Sequence, residues 1–201
     1  VFSPEQWGFR KGRSTNQAAA WLGVKMDKLK SGYVVLVDYQ RAYNSVVWNT
    51  MWEQMEKAGA SNVDIKIIQD LYLGAKSKLL VGKSTYGEYT EMRGVRQGCP
   101  AAPALFSWYI EPLVSRVKQV VKPNGWSQWY ADDLVAVLGT VPEVEGMLSE
   151  LEEQSKNQGL SVSWEKTKIM KFGNASEQII PGSTLVNLLS KVDVSNTWMR
   201  A

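Results

Sequence analysis

The chain has 201 residues, with 23 Lys and Arg against 20 Asp and Glu, a formal net charge of +3 and 44% apolar residues, which predicts one globular domain with a genuine core. It contains no histidine and a single cysteine, Cys99. These absences exclude Ser-His-Asp and Cys-His catalysis, His-ligated zinc and an internal disulfide. Any chemistry must therefore use carboxylates, Lys, Tyr or Ser, together with an oxygen-liganded metal such as Mg²⁺.

Apolar periodicity and turn residues predict alternating helices and strands along the chain. The predicted helices are 15–30, 45–58, 62–73, 104–121 and 142–158. The predicted strands are 33–37, 78–81, 86–92, 126–130, 134–138, 160–164 and 167–172. Without the segment 45–102, the order is β-α-β-β-α-β, which is the ferredoxin-like layout of the α+β class with an inserted helical and β-hairpin segment.

Three aspartates are the candidates for chemistry. Asp38 follows a strand of apolar residues, and Asp132 and Asp133 lie at the turn of the hairpin 126–138. Two purely structural explanations stay open. The first strand reaches the surface at Asp38, and aspartate is a common turn residue, which explains Asp132 and Asp133. In a ferredoxin-like sheet, however, these strands are neighbours, so Asp38 and Asp132 can approach one another. Carboxylates that share a site repel unless a divalent ion neutralises them, and two Mg²⁺ ions on carboxylates are a general device for phosphoryl transfer.

Basic residues cluster at 9–13 and 164–171, whereas 143–153 is acidic. A solvated face explains such clusters as well as a binding surface does. No run of 18 apolar residues is present, so we expect no membrane insertion. The sequence begins without Met or a signal peptide, from which we expect a fragment or a processed product, and the single cysteine suits a reducing, intracellular compartment.

Five segments resemble, in family order, the motifs of reverse transcriptases of the group II intron and non-LTR retroelement lineage. They are Gln6–Thr15 (QWGFRKGRST), Val34–Tyr43 (VVLVDYQRAY), Gly94–Pro100 (GVRQGCP), Tyr130–Asp133 (YADD) and Gly159–Lys168 (GLSVSWEKTK). A single YADD or GxxQG would be a weak signal, but five motifs in order make the resemblance specific. The resemblance implies a polymerase palm fold and RNA-directed DNA polymerase activity.

The resemblance also implies residue roles and cofactors. Asp38, Asp132 and Asp133 would be catalytic and bind two Mg²⁺ or Mn²⁺ ions, and Lys166 would be catalytic beside the pyrophosphate. Tyr43 would lie beneath the incoming sugar and reject a 2′-hydroxyl, with Gln97 and Gly98 also at the nucleotide. The implied contacts to an RNA template and DNA primer are Arg10, Lys11, Arg13 and Arg96. Packing alone could explain Tyr43, and Lys166 could be an ordinary surface residue.

The match departs from the family pattern at several positions, and two functional interpretations follow. Asn44 stands where a second Asp is usual, Ala101-Ala102 replaces Leu-Ser, and Ser163 replaces a common Asn. We expect 1–32 to be a partial fingers segment, 33–173 the palm with insertion 45–102, and 174–201 a tail with no recognisable thumb. The chain is then either the palm of an RNA-templated polymerase, or a truncated, domesticated remnant that binds RNA and proteins within a ribonucleoprotein such as a mitochondrial ribosome. The second interpretation suggests a mitochondrial or nuclear location.

Overall fold

The structure is a computed structural model that describes residues 2–175 and 193–194. Its elements in chain order are α1 (Thr15–Leu29), β1 (Gly32–Val37), α2 (Ala42–Ser45), α3 (Trp48–Lys57), α4 (Asn62–Tyr72), β2 (Lys76–Val81), β3 (Ser84–Thr90), α5 (Ala102–Val121), β4 (Trp126–Tyr130), β5 (Asp133–Leu138), α6 (Val141–Asn157), β6 (Lys168–Phe172) and β7 (Asp193–Val194). The predicted tail 174–201 lies outside the described residues except for 174–175 and 193–194.

A five-stranded sheet with the order β4-β5-β1-β6-β7 forms the centre of the fold. β1 pairs antiparallel with β5 on one side and with β6 on the other. Val34, Val35 and Val37 of β1 are 0 to 3% exposed, because both faces of this central strand are covered over most of its length. This order and the helices α5 and α6 confirm the predicted ferredoxin-like α+β core.

The main core lies between the sheet and the helices α5 and α6. Leu105, Tyr109, Leu113 and Val117 repeat every four residues along α5, and each is at most 1% exposed. This spacing places them on one helix face, which is the physical reason that the amphipathic pattern of 104–121 identified the helix. The capping box of α6, made by Thr140 and Glu143, fixes where that helix begins.

The opposite face of the sheet is only partly covered. Leu22, Met26 and Leu29 of α1 pack near Val34, Val137 and Phe172. The part of this face nearer the end of β1 lies outside the contact with α1, and Leu36 in that part is 37% exposed. The sheet therefore presents an open surface beside the strand end that carries Asp38.

The segment after β1 forms α2, α3, α4 and the separate hairpin β2–β3, and the buried residues of α3 and α4 belong to the main core. The prediction of one helix over 45–58 is wrong, because the chain is extended at Val46 and Val47 between α2 and α3. Val46 is completely buried, and its packing, together with its β-branched shape, outweighs continuation of the helix.

The predicted strand 160–164 is also wrong. Val162 makes a single antiparallel bridge with Tyr39, after which the chain turns. The Ser163 carbonyl accepts hydrogen bonds from the backbone N–H groups of Lys166 and Thr167, at 3.1 and 2.9 Å, so these groups are satisfied within the turn rather than by a strand partner. Among the described residues, no helix is long and apolar enough to cross a membrane.

Candidate active site

Asp38 is the first residue after β1, and the sheet buries part of its side chain. Its Oδ1 atom is inaccessible to solvent and takes part in no hydrogen bond with any described residue. Lys166 forms an ion pair with Asp38, in which its Nζ lies 3.5 Å from Oδ1, a distance too long for a good hydrogen bond. An ionised oxygen in this position is costly to desolvate unless a cation joins it.

The β4–β5 hairpin brings the second acidic pair to the same edge of the sheet. Tyr130 pairs with Asp133, so Ala131 and Asp132 form a two-residue turn. Pairing of Val37 with Leu134 places this turn beside the end of β1. The sheet register, which the sequence does not show, therefore determines that the two motifs meet.

Electrostatic coupling shows that the three carboxylates are near one another. Burial raises the pKa of Asp132, and the charge of Asp38 raises it further, although a backbone hydrogen bond opposes the change. Burial also raises the pKa of Asp133, as do the charges of Asp132 and Asp38. The charge of Asp38 therefore opposes ionisation of Asp132, and the charges of Asp132 and Asp38 oppose ionisation of Asp133, in the absence of a cation.

These residues suit a divalent cation by their chemistry. All of the donors are carboxylate oxygens, which Mg²⁺ prefers, and Asp38 Oδ1 has an unused acceptor position among the described residues. Within the described part of the chain, no group of three or more His, Cys, Asp or Glu side chains is arranged to hold a metal ion. The site is thus a set of coupled acids with the right donors, and their side chains do not converge on one point.

A short turn positions Lys166 next to Asp38. The backbone N–H of Ser163 donates to the carbonyl of Asp38 at 2.8 Å, and the N–H of Gln40 donates to Ser161 at 2.8 Å. The Thr167 hydroxyl donates to the Ser163 carbonyl at 2.9 Å and closes the turn. The side chain of Lys166 is 71% exposed, so its ammonium group lies at the open edge of the site.

Tyr43 lies on α2, close enough to Asp132 to be affected by its charge. Its ring stacks on Phe106 of α5, with 4.5 Å between the ring centroids and 8° between the planes. Burial raises the pKa of Tyr43 to about 12, and the negative charge of Asp132 contributes. Phe106 is a site residue that sequence reasoning missed, because its position in an amphipathic helix is that of any core aromatic residue.

Gln6 is a second residue whose contribution the sequence did not reveal. Its side chain is completely buried, and it makes hydrogen bonds to both backbone polar groups of Ala131 in the hairpin turn, each at 3.1 Å. Its Oε1 also accepts from the N–H of Gly8 at 2.9 Å. The signal that could have identified it is a polar amide side chain directly before three residues that are apolar or glycine, Trp7, Gly8 and Phe9.

The loop that contains Gln97 and Gly98 is attached near the site by its first residues. The N–H groups of Gly94 and Val95 donate to Val46 and Tyr43, at 2.8 Å each. Gln97 and Gly98 themselves are exposed further along the loop.

The predicted basic contacts are distributed differently. Arg96 donates to the Leu71 carbonyl at 2.8 Å, at the end of α4. Arg10 donates to the carbonyls of Ser3 and Gln6, at 2.9 and 3.1 Å, and Arg13 lies 4.2 Å from the ring centre of Trp7. Lys11 is exposed. The structure therefore gives Arg10, Arg13 and Arg96 intramolecular contacts, and their contacts to nucleic acid stay predictions.

An open cleft of about 420 Å³ lies along the sheet beside the carboxylates. Leu36 and Val135 contribute to its floor, Gln128 lies at its β4 side, and Asp38, Asp133 and Lys166 lie at its edge. The cleft combines an apolar floor with charged groups at one edge.

Comparison with known proteins relates this geometry to a family. The family described as "Reverse transcriptase (RNA-dependent DNA polymerase)" matches residues 1–190. The retrovirus-related Pol polyprotein of the type-1 retrotransposable element R2 from Nasonia vitripennis is 25% identical over 154 residues, which are 74% of this chain and 15% of that protein. A reverse transcriptase-like protein from Chlamydomonas reinhardtii is 25% identical over 166 residues, which are 81% of this chain and 41% of that protein.

Solved structures show the same fold. Apo telomerase from Candida tropicalis, truncated from the C-terminal domain, has a TM-score of 0.69 and 16% identity over 87% of this chain and 37% of that one. Telomerase from Candida albicans, in complex with a fragment of telomeric RNA, has a TM-score of 0.63 and 12% identity over 82% of this chain and 31% of that one. The chain thus spans less than half the length of each of these relatives. The match over residues 1–190, the palm-like sheet and the ordered motifs together show that this chain belongs to the reverse transcriptase family.

Proposed function

We propose that this chain is the palm of an RNA-templated DNA polymerase that performs nucleotidyl transfer with two divalent metal ions. The observation that carries this proposal is the oxygen Asp38 Oδ1, which is buried beside two further carboxylates and has no hydrogen-bond partner among the described residues. The raised pKa values of Asp132 and Asp133 add support, since burial and then the charge of neighbouring carboxylates oppose their ionisation. A protein that did not use these charges would gain stability by separating or neutralising them.

Asp38, Asp132 and Asp133 would hold the ions, Mg²⁺ or Mn²⁺, through carboxylate oxygens. When bound, the metal ions would activate the attacking primer hydroxyl and stabilise the leaving pyrophosphate. Lys166, at the open edge of the site, would place an ammonium group where it can stabilise phosphate charge. The aspartates would fix the position of the primer end relative to the incoming nucleotide, because rigid strands hold them at one edge of the sheet.

The remaining predicted residues would orient the substrates. Tyr43, whose ring stacks on Phe106, would lie beneath the sugar of the incoming nucleotide and exclude a 2′-hydroxyl by steric contact. Gln97 and Gly98 would support the templating pair from the loop after β3. The implied partners are an RNA template and a DNA primer, whose phosphates Lys11 would contact together with Arg10, Arg13 and Arg96 if these exchange their intramolecular contacts for phosphate.

Primer extension tests the proposal directly. Purified chain would be incubated with Mg²⁺ or Mn²⁺, a DNA primer on an RNA template, and dNTPs. We expect extension by the wild type and a loss of at least about 1,000-fold in Asp38→Asn, because this substitution keeps the shape and removes the charge. Asp27→Asn, on an exposed face of α1, is the matched control and should retain wild-type activity.

The double variant Asp132→Ala with Asp133→Ala should also abolish extension. A wild type that extends no primer on any template would refute the polymerase proposal. Recovery of such an inactive chain in a ribosome or another defined ribonucleoprotein would then support the alternative, a domesticated remnant retained as an RNA-binding or structural component.

A further inference from the structure

We propose that Gln6 is a positioning residue, whose buried amide fixes the Ala131 turn of the β4–β5 hairpin and thereby places Asp132 for catalysis. This inference rests on the polymerase function proposed above. Gln6 lies outside the acidic site, and its side chain acts on the site only through its hydrogen bonds to the backbone of the turn.

The turn has an unfavourable backbone conformation that needs support. Ala131 has a φ of 58°, in the left-handed region that favours glycine, and it is 6% exposed. The Gln6 side chain donates from Nε2 to the Ala131 carbonyl and accepts at Oε1 from the Ala131 N–H, each at 3.1 Å. One amide side chain therefore satisfies both polar groups of the strained residue, and no water is needed there.

The backbone around Gln6 fixes the position of this amide. The N–H of Trp7 donates to Trp129 at 2.7 Å, and the N–H of Trp129 donates to Glu5 at 2.8 Å, so the segment runs alongside β4. Arg10 donates to the Gln6 carbonyl at 3.1 Å from the other side. Gln6 thus has little freedom to follow a displaced turn, which is what a positioning role requires.

Two contacts attach the same segment to α5. Glu5 forms an ion pair with Lys118 at 2.9 Å, and the N–H of Ser3 donates to both oxygens of Glu111, at 3.1 Å each. The hairpin turn is therefore held to the main helix of the core through a chain of contacts, beyond its pairing within the sheet.

Gly8 shows how closely the segment and the turn approach. A Cβ atom at Gly8 would lie 2.3 Å from the backbone nitrogen of Ala131 and 3.0 Å from its Cα. These are backbone atoms, so an added methyl group must displace the segment or the turn. Gly8→Ala therefore offers a second way to move the turn, with the Gln6 amide still present.

The test compares two variants with matched controls. Gln6→Met keeps the volume of the side chain and removes the hydrogen bonds, and its control is Gln119→Met at an exposed site on α5. Gly8→Ala has Gly23→Ala as its control, because nothing lies within 4 Å of the added methyl at Gly23. Primer extension gives kcat and the KM for dNTP, and amide hydrogen exchange reports on Ala131 relative to Val135 in the adjoining strand.

We expect kcat to fall about 100-fold in Gln6→Met and Gly8→Ala, with the KM for dNTP changed less than about threefold, because displacement of a catalytic group by about 1 Å has an effect of this size. The Ala131 amide should exchange at least about tenfold faster in Gln6→Met, with Val135 unchanged. Both controls should match the wild type. The proposal is overturned if Ala131 exchanges at the wild-type rate in Gln6→Met, or if kcat falls only in proportion to the unfolded fraction.

The two proposals can fail separately. If the wild type extends no primer, the polymerase proposal fails, and the role of Gln6 is then measured with Mn²⁺ alone. In that case we expect at least about tenfold weaker Mn²⁺ binding in Gln6→Met than in Gln119→Met, together with the faster exchange of Ala131. Equal Mn²⁺ affinities in these two variants would overturn the positioning role.

Discussion

The described residues form two β-hairpins with two-residue turns, and the two hairpins satisfy their turn geometry in different ways. In β2–β3, Val81 pairs with Ser84 around Gly82 and Lys83, and Gly82 has a φ of 62° with nothing within 4 Å of an added Cβ. In β4–β5, Ala131 occupies the equivalent position with a φ of 58°. A glycine adopts this conformation without strain, whereas an alanine requires support from outside the hairpin.

The two hairpins also differ in how far their strands are buried. All residues of β3 are exposed, and so is all of β2 except the partly buried Ser77. In β4–β5, Trp129, Leu134, Ala136 and Leu138 are at most 2% exposed. The first hairpin is thus stabilised locally by its turn and cross-strand pairs, while tertiary contacts hold the second and its acidic turn. Strain at a position that is fixed by its surroundings is typical of functional sites.

The largest expected effect separates the two turns by activity. Asp132 and Lys83 are the second turn residues of their hairpins. We expect Asp132→Ala to reduce primer extension by at least about 1,000-fold, because a carboxylate proposed to bind the metal ions is lost. Lys83→Ala should stay within about threefold of the wild type. Equal losses in the two variants would mean that the chemistry does not depend on the β4–β5 turn.

The second effect is on stability and compares two leucines. Leu134 in β5 is 2% exposed and Leu79 in β2 is 58% exposed. Leu134→Ala should lower the free energy of unfolding by about 3 kcal/mol, because it leaves a cavity, and Leu79→Ala by less than about 0.5 kcal/mol. Urea denaturation measures both. A loss above about 2 kcal/mol for Leu79→Ala would show that the β2–β3 hairpin is covered in solution.

The third comparison exchanges the residues at the left-handed positions. Gly82→Ala should lower the free energy of unfolding by about 1 kcal/mol, since the new methyl meets no atom and only the backbone conformation is penalised. Ala131→Gly should change it by less than about 0.5 kcal/mol, because relief of strain and greater freedom of the unfolded chain oppose one another. Destabilisation of about 1 kcal/mol by Ala131→Gly would show that the tertiary contacts leave no strain at this turn.

The smallest expected effects have opposite signs and depend on pH. The pKa of Asp132 is raised in the folded state, so stability is lost as the pH rises from the unfolded value of about 4 towards the folded value. Asp132→Asn removes this loss and should therefore raise the Tm at pH 7 by about 1 to 2 °C in metal-free buffer. This gain should disappear below about pH 3. An unchanged or lower Tm at pH 7 would contradict the raised pKa of Asp132, which burial causes first and the charge of Asp38 increases.

Glu88 in β3 is the matched comparison for Asp132, because its pKa is shifted in the opposite direction. Hydrogen bonds from Lys76 and then Lys78 lower its pKa, so it contributes stability above the unfolded value of about 4.3 that is lost as pH falls. Glu88→Gln should therefore lower the Tm at pH 7 slightly, less so in high salt, since the pair is exposed to solvent. Scanning calorimetry at several pH values gives both signs. A higher Tm in Glu88→Gln would remove the contrast.

Much of the fold could be predicted because its signals are local. The β-branched run 33–37, the helix 104–121 and the hairpin 126–138 have apolar patterns that their burial explains, and each element occurs within about two residues of the prediction. The predictions failed at Val46 and at 160–164. A buried valine interrupts the helix at the first position, and a tight turn satisfies the backbone at the second.

The order of the motifs indicated the family from the sequence alone, and the absence of histidine, with Cys99 as the single cysteine, excluded Ser-His-Asp and Cys-His catalysis. Only the tertiary structure decided how the acidic residues meet and what holds them. Asp38 and the Asp132 turn become neighbours through the register of β1 with β5, and Gln6 reaches Ala131 across 125 residues of sequence. Periodicity and turn propensity report on near neighbours in the chain, whereas contacts at this separation depend on packing of the whole core, so no local pattern could identify the amide that supports the turn.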